Sequence, residues 1–405
     1  MIICNGYGYV PQVFGRLVRF LFVALFIGCV EEFTPRTLEF GSALVIEATL
    51  TDQLGPQTIF LFRTYPFEEE GPEAESGAQV TVVDEGSVEH SFGETEPGTY
   101  VSVGDFAAEV GHTYRLSVRT SDGREYSSSA EALSGTGGMD ALYAERLTDD
   151  QGREGIGIFV DAYDATASSR QYRYRYEETY KVVAPDYNRT DLIADPDGGC
   201  EPLKAPRRES DGETCYASAG SNSIILTNTN GLAEDRVERF MVRFIPMDNY
   251  IISYRYSILV RQYVQSDAAY GYYETLRDFS GSESLFSETQ PGFLSGNVFS
   301  TANGEERVLG YFGVSAASGR RLFLNYDDFF PGEPLPPYVD PCDETAFQLE
   351  LIGGGCNLLT LIEADLVRYK RDSDLGPSRP YFTVPRVCGD CTVLGSKETP
   401  EFWIE

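Results

Sequence analysis

The chain has 405 residues, with 63 acidic against 32 basic side chains, and its formal net charge of −31 excludes a surface that attracts nucleic acid or anionic lipid. Hydrophobic residues make up 42% of the chain, which is enough to bury a sizeable core. Tyrosine, phenylalanine, glycine and proline are plentiful whereas tryptophan and methionine are rare, a mixture typical of mostly β proteins with many turns.

An export signal opens the sequence. Arg16 and Arg19 precede a short apolar run at residues 20–27, and Gly28 stands directly before Cys29. A basic flank, a short apolar core and a small residue are typical of a secretory signal peptide. Because a cysteine follows, the pattern predicts a bacterial lipoprotein whose Cys29 thiol carries the lipid; the alternative is an ordinary cleaved signal with a chance cysteine.

The predicted signal divides the chain into a removed leader, residues 1–28, and a lipidated tether, residues 29–41. The apolar core of the leader is too short to span a bilayer, which takes about 20 residues, and no other segment is long and apolar enough. A lipidated amino terminus carries more than one acyl chain, which is enough for stable anchoring. The sequence therefore predicts a globular body on a membrane tether.

Strand patterns begin directly after the tether. Residues 43–50 alternate apolar and polar, and Ser121-Asp122-Gly123 is typical of a hairpin turn. Short strands at this spacing predict an immunoglobulin-like β-sandwich over residues 42–133. A glycine-rich joint then separates it from a second, larger β-rich domain over residues 140–405. The predicted fold class is therefore mostly β, with disulfide-clipped loops in the second domain.

One strand of the second domain alternates tyrosines with charged residues. In residues 171–180 the tyrosines face one way, and Arg173 and Arg175 face the other. We interpret the tyrosines as core side chains whose hydroxyl tips reach water. The alternative is an aromatic platform for sugar rings or peptide side chains. For contacts with a ligand we instead expect aromatic residues of the loops: Tyr187, Phe329, Phe330 and Tyr338.

One short helix is predicted in the second domain, over residues 266–279. Ser266 offers a capping hydroxyl and Asp267 an acid in the first turn. Ala269, Tyr272, Tyr273 and Leu276 then form one apolar stripe. The polar segment at 184–213, by contrast, is predicted to be an exposed loop held by a cysteine pair.

Six cysteines remain once Cys4 of the leader and Cys29 are set aside. An even number in an exported protein predicts disulfides, and six cysteines allow 15 connectivities. A redox pair or half of a zinc site is the alternative for the closely spaced Cys388 and Cys391, but no helical pattern follows them. The spacing favours three local pairs: Cys200–Cys215, Cys342–Cys356 and Cys388–Cys391.

Few residues suggest catalysis or metal binding. The two histidines, His90 and His112, lie in loop-like and turn-like segments, so we predict no catalytic triad. The acidic segments 195–198 and 327–328 resemble parts of a calcium loop but lack its twelve-residue pattern and closing glutamate. We therefore predict no catalytic residue, no metal and no cofactor.

Several stretches in fixed order resemble a known family. The most particular are QPGFLSGNVFS at 290–300 with VLGYF at 308–312, and CGDC at 388–391 before the terminal Phe402-Trp403. By these the chain resembles, over essentially the whole mature sequence, the Bacteroidetes lipoprotein family known as domain of unknown function 4249. The other stretches that carry the resemblance lie at 43–67, 77–87, 111–128, 255–278, 285–289 and 313–321.

The resemblance implies an outer-membrane lipoprotein, often encoded beside a TonB-dependent receptor, with no catalytic or binding residues to transfer. Glu31 and Glu32 also resemble the acidic signal that directs lipoproteins of this phylum to the cell surface. We expect a non-catalytic binding or accessory subunit, held in the membrane by its lipid, that partners an outer-membrane transporter barrel. The alternatives are a surface hydrolase that acts on glycans or peptides in a cleft between two β domains, and a structural or adhesive surface protein.

Overall fold

The structure is a computed structural model that describes residues 42–65, 71–133, 135, 137–167, 170–207, 212–281 and 294–405. The predictions for the signal peptide, Cys29, Glu31 and Glu32 lie outside these residues. Within the described chain the fold is mostly β, as predicted, with 46% of residues in strands and 10% in helices.

The described residues form 23 strands and four α-helices. The strands are β1 (Leu44–Thr51), β2 (Thr58–Arg63), β3 (Glu73–Ala74), β4 (Gln79–Asp84), β5 (Glu89–Glu96), β6 (Thr99–Ser102), β7 (Thr113–Arg119), β8 (Glu125–Ser128), β9 (Glu131–Ala132), β10 (Met139–Thr148), β11 (Glu154–Tyr163), β12 (Gln171–Val183), β13 (Thr190–Ile193), β14 (Leu203–Pro206), β15 (Thr214–Gly220), β16 (Ile225–Asn228), β17 (Arg236–Pro246), β18 (Arg255–Val264), β19 (Val298–Ser300), β20 (Val308–Ser315), β21 (Ala317–Asn325), β22 (Val367–Asp372) and β23 (Tyr381–Pro385). The helices are α1 (Asp267–Gly281), α2 (Tyr326–Phe329), α3 (Asn357–Glu363) and α4 (Arg386–Gly389).

The first sheet contains eleven strands and is barrel-like. Its main order is β19-β8-β7-β4-β5-β6-β2-β1-β20, with β3 on β2 and β9 on β7. In β1 every second side chain, from Leu44 to Leu50, is buried in the core, as the alternation predicts. Two strands from beyond residue 297 complete this sheet, so the glycine-rich joint after residue 133 does not divide the sheets.

The two ends of this sheet are joined by the motif that carries the family resemblance. The Asn297 side chain accepts a hydrogen bond from the Phe312 amide and donates one to the Phe312 carbonyl, each at 2.8 Å. A Cβ on Gly296 would lie 1.6 Å from the Gly310 carbonyl oxygen, and one on Gly310 1.8 Å from that of Ile46. Only glycine permits these close approaches.

The second half of the chain forms a three-stranded sheet, β10-β11-β17, and a sheet of order β15-β12-β18-β21 with β16 on β12. The tyrosines of β12 are buried, with Tyr172 and Tyr174 each 1% exposed, so the prediction of a tyrosine core is confirmed. The expectation that the hydroxyl tips reach water is wrong at Tyr174, whose buried hydroxyl donates to Gln262 at 3.1 Å. One continuous hydrophobic core joins these sheets to the first, because side chains of β1, β11, β12 and β18 share it.

A small separate core lies near the carboxy terminus. Leu192, Leu358 and Tyr369 pack together there, which brings β13, α3 and β22 into contact. The segment 184–213 was predicted to be an exposed loop, and this is wrong in part: within it, β13 and β14 pair as an antiparallel hairpin. The hairpin forms because Leu192 has an apolar partner surface that lies far away in the sequence.

All six cysteines of the body form disulfides, but the predicted local pairing is wrong. The reason is visible at Cys388 and Cys391: α4 ends at Gly389, and Asp390 is extended (φ −156°, ψ 103°) before a short 3-10 turn. The two cysteines therefore cross-link different parts of the chain. The observed pairs are Cys200–Cys356, Cys215–Cys391 and Cys342–Cys388.

Candidate functional site

A groove runs between the first sheet and the β12–β18 sheet. It consists of two adjoining cavities of about 290 and 400 Å³. Four residues, from β1, β12 and the turn after β15, line both cavities: Glu47, Arg173, Arg175 and Ser221. We call the two cavities together the arginine groove.

Strand alternation places the charged residues in the groove. In β1 the even-numbered residues face the core, so Glu47 and Thr49 face outward. In β12 the tyrosines take the core face, which leaves Arg173 and Arg175 on the groove face, as the sequence predicted. Tyr263 of β18 lines the groove beside them.

Helix α1 forms one wall of the first cavity. It begins at Asp267, and the Ser266 hydroxyl accepts a hydrogen bond from the Ala269 amide at 3.2 Å, so the predicted helix and its cap are confirmed. Its stripe presents Tyr272 and Tyr273 to the cavity. These tyrosines therefore cover the space between the two sheets.

Two ion pairs line the groove, and one of them crosses it. The Arg175 guanidinium donates to Glu47 at 2.7 Å, and Arg261 of β18 donates to Glu177 of β12. The first pair joins the first sheet to the second, whereas the second pair lies within one sheet. The two glutamates of the groove are thus each matched by one arginine.

Arg173 has no such counter-ion. Its side chain is buried, with 5% exposure, and no carboxylate of the described residues lies within ion-pair distance. Its Nη2 donates to the Thr49 hydroxyl at 3.1 Å, whereas its buried Nε has no hydrogen-bond partner in the described chain. The guanidinium carbon lies 4.1 Å from the ring centre of Tyr273 and 5.1 Å from that of Tyr263.

These ring contacts offset only part of the cost of burying Arg173. A desolvated cation–π contact contributes about 2 kcal/mol. A buried ion without its counter-ion costs several times the value of one hydrogen bond, because the protein interior does not replace its hydration. Arg173 is therefore a buried cation that the described residues leave partly uncompensated.

A third hollow, of about 390 Å³, adjoins the groove at Tyr272 and Tyr311. Glu131 lines it, and its Oε1 accepts hydrogen bonds from the Tyr311 hydroxyl at 2.8 Å and from the Asn297 side-chain Nδ2 at 3.0 Å. Burial raises the pKa of Glu131 above its ordinary value, although these hydrogen bonds oppose the shift. Burial also raises the pKa of Tyr272 to about 12.

The histidines lie outside the groove. The His90 ring stacks on Phe106 with the ring centres 4.1 Å apart, and His112 lies 3.8 Å from Glu109. The acidic segments that resemble calcium loops stabilise local structure instead. Asp195 accepts a hydrogen bond from a main-chain amide two residues on, and Asp328 caps α2.

The loop aromatics that we expected to contact a ligand serve as packing residues. Phe330 is fully buried, and its ring centre lies 4.9 Å from that of Tyr326. The Tyr338 hydroxyl donates to the Val387 carbonyl at 3.0 Å, and burial raises its pKa to about 12. The aromatic residues that line the groove come instead from β2, β12, β18, α1 and β20. Sequence spacing showed Tyr272 and Tyr273 on one face, but not what that face covers.

One cluster near the carboxy terminus has the composition of a metal site. Ligand atoms of Asp340, Cys342 and Cys388 lie within 4.8 Å of one another. The two cysteines are joined in a disulfide, so they offer no thiolate to a metal. This cluster is therefore structural.

Comparison with known proteins gives a family but no activity. In the described part of the chain, no helix is long and apolar enough to cross a membrane. No curated protein matches the sequence. Among solved structures, a DUF4785 family protein from Legionella pneumophila is similar at 11% identity and a TM-score of 0.17, over 53% of this chain and about half (50%) of that one. The family model described as "Domain of unknown function (DUF4249)" matches residues 30–321, and the chain belongs to this family.

Proposed function

We propose that this protein is an outer-membrane lipoprotein, anchored through Cys29 and exposed at the cell surface, that binds a ligand in the arginine groove without catalysis. Its partner in this proposal is an outer-membrane transporter barrel. The observation that carries the proposal is the groove itself, in which Arg173 lies between the rings of Tyr263 and Tyr273 at the junction of two sheets. Concave sites with aromatic walls and a few fixed polar groups are typical of small-molecule binding.

The ion pairs of the groove favour binding over catalysis. Glu47 and Glu177 are each hydrogen-bonded to an arginine, which fixes them as parts of the wall. Acid–base hydrolysis needs carboxylates that face the substrate in different protonation states. A groove wall whose glutamates are already paired with arginines instead selects a ligand by its shape and by the ligand's own polar groups.

The predicted anchor and the family resemblance support the choice of partner. A lipid at Cys29 would hold the body at the membrane, where a transporter barrel lies within reach. The net charge of −31 favours a partner face that carries basic residues. The ligand bound in the groove would then be the solute that the transporter takes up.

The test is to isolate the protein from native membranes. Membranes are solubilised in mild detergent, the protein is captured by a carboxy-terminal tag, and the co-purifying proteins are identified. We expect an outer-membrane barrel in stoichiometric amount. The Cys29→Ser variant should move to the soluble fraction. A lipoprotein that leaves the membrane alone contradicts the partnership, and a membrane-bound Cys29→Ser variant contradicts the anchor.

Glu131 supports a second candidate function, a hydrolase. It is a half-buried carboxyl group with a raised pKa beside an open hollow, and a general acid has these properties. In that case Glu131→Gln should abolish turnover of surface glycans or peptides while the protein stays folded. The matched control is Glu125→Gln on the neighbouring β8, which lies outside the hollow. Equal turnover in Glu131→Gln and wild type excludes this candidate.

A further inference from the structure

We infer that the arginine groove is a receptor for a carboxylate carried on a ring, such as a sugar acid. The carboxylate pairs with Arg173, and the ring packs on the tyrosines of α1. This inference rests on the proposed binding function and adds the chemical class of the ligand. Three observations carry it: the unmatched cation, the charge balance of the groove and the form of its walls.

The first observation is that Arg173 is buried and lacks a counter-ion within the described part of the chain. Its guanidinium has one hydrogen bond to a described residue, from Nη2 to Thr49, and its Nε donor is unused. A carboxylate accepts charge-assisted hydrogen bonds from a guanidinium and supplies the negative charge that Arg173 lacks among the described residues. A ligand carboxylate would therefore complete a site that the described chain leaves incomplete.

The second observation is the charge balance. Among the residues that the structure describes, three arginines and two glutamates line the groove, and Arg175 and Arg261 are already matched by the glutamates. One positive charge therefore remains, on Arg173, in a chain whose net charge is −31. Acidic residues that keep the surface of the protein soluble do not explain why a positively charged arginine is buried. A monoanionic ligand neutralises it.

The third observation is the form of the walls. Tyr272 of α1 and Tyr311 of β20 line the first cavity with their ring centres 5.3 Å apart, and Leu276 lies one turn further along α1. Ser221 lines both cavities, and its hydroxyl accepts a hydrogen bond from the Tyr176 main-chain amide at 3.3 Å. Flat apolar faces together with hydroxyl groups match a sugar ring, and cavities of about 290 and 400 Å³ hold one or two such rings.

The test compares a sugar acid with its neutral counterpart. The thermal unfolding midpoint of the full chain is measured against D-glucuronate and against D-glucose, with sodium matched by sodium chloride. Sodium benzoate serves as a second carboxylate probe. The variants are Arg173→Met, which keeps the bulk but removes the charge, and Arg119→Met, a strand arginine of β7 outside the groove.

We expect D-glucuronate to raise the unfolding midpoint with concentration, and D-glucose to leave it unchanged. Arg173→Met should weaken the response at least about tenfold, since a charge-assisted hydrogen bond is lost, and Arg119→Met should keep it. Without ligand, Arg173→Met should unfold at or above the midpoint of wild type, because an unmatched buried charge has been removed.

Three results overturn the inference. The first is that D-glucose raises the unfolding midpoint as much as D-glucuronate does, and that Arg173→Met keeps this response. The groove would then bind neutral rings, and the proposed binding function would stay intact. The absence of any response to either carboxylate removes the anion site, while a co-purifying barrel would still support the accessory role. A lower midpoint for Arg173→Met together with no carboxylate response assigns Arg173 to packing against its two tyrosines.

Discussion

A buried ion pair between β12 and β17 should strongly influence the stability of the second half of the chain. Glu178 of β12 is 6% exposed and accepts two hydrogen bonds from Arg243 of β17, each at 3.1 Å. It also accepts one from the hydroxyl of Tyr256 in β18 at 2.7 Å. One carboxylate therefore joins the three-stranded sheet to two strands of the neighbouring sheet.

The cost of breaking this pair depends on which partner is removed. Arg243→Met leaves a buried carboxylate with a single neutral donor, and we expect a loss of about 4 kcal/mol in the free energy of unfolding. Glu178→Gln should cost about 3 kcal/mol, because the Arg243 side chain is 26% exposed and part of its charge can still be hydrated. The double variant should lose less than the sum, with a coupling of about 2 kcal/mol.

The assay is equilibrium unfolding in urea, followed by the fluorescence of the single tryptophan, Trp403, and by circular dichroism. Trp403 packs on Tyr216 and Phe323, so it reports on strands of the sheet that holds Glu178. Arg236→Met, an exposed arginine on the same strand as Arg243, is the matched control and should cost less than about 1 kcal/mol. Single variants within 1 kcal/mol of wild type, or strictly additive losses, would refute the reasoning.

Three further predictions concern the frame of the fold. Replacing Cys215 and Cys391 together by alanine should lower the free energy of unfolding by up to about 5 kcal/mol, since the bond closes a separation of 176 residues; an unchanged urea midpoint contradicts this. Gly310→Ala should lower the thermal midpoint sharply, because its φ is +101° and a Cβ would meet a β1 carbonyl oxygen at 1.8 Å, whereas Gly304→Ala in open space should be neutral. Burial raises the pKa of Glu131, so the folded state keeps this proton at a pH above 4.5, where the unfolded state has lost it. Wild type should therefore lose stability relative to Glu131→Gln as pH rises from about 4.5 through the raised pKa. A free-energy difference between the two proteins that is constant with pH contradicts this.

Local pattern was enough to predict several parts of this fold. The period of two in β12 placed the tyrosines in the core and Arg173 opposite them, because successive side chains on a strand point to opposite faces whatever the partner strand is. The cap and stripe predicted α1 for the same reason, since capping and helical spacing are local properties. The mostly β class followed from composition and turn signals.

Long-range pairing was not predictable from one sequence. Strand β20 pairs in parallel with β1, although more than 250 residues separate them in the sequence. The alternation of apolar and polar residues in each strand does not identify the strand with which it pairs. The predicted disulfide pairing was wrong for the same reason. Cys200 lies 156 residues from Cys356 in the sequence, and the two meet where β13 packs against α3. The groove could not be predicted for the same reason. The alternation in β12 predicts on which face of the strand Arg173 lies, but not that tyrosines of α1 and β18 pack against it.

The disulfide that sequence spacing missed bears directly on the groove. Cys215 fixes the start of β15 to the carboxy-terminal segment, and β15 pairs with β12 as far as Gly220. Ser221 follows directly and lines both cavities. Its amide donates to the Tyr176 carbonyl at 2.9 Å, and its hydroxyl accepts from the Tyr176 amide at 3.3 Å. The wall opposite α1 is therefore held by a covalent bond at one end and by main-chain hydrogen bonds at the other. A wall that is fixed before the ligand arrives reduces the entropy lost on binding, so a groove with one unmatched cation can bind a small anion without rearranging the sheets around it.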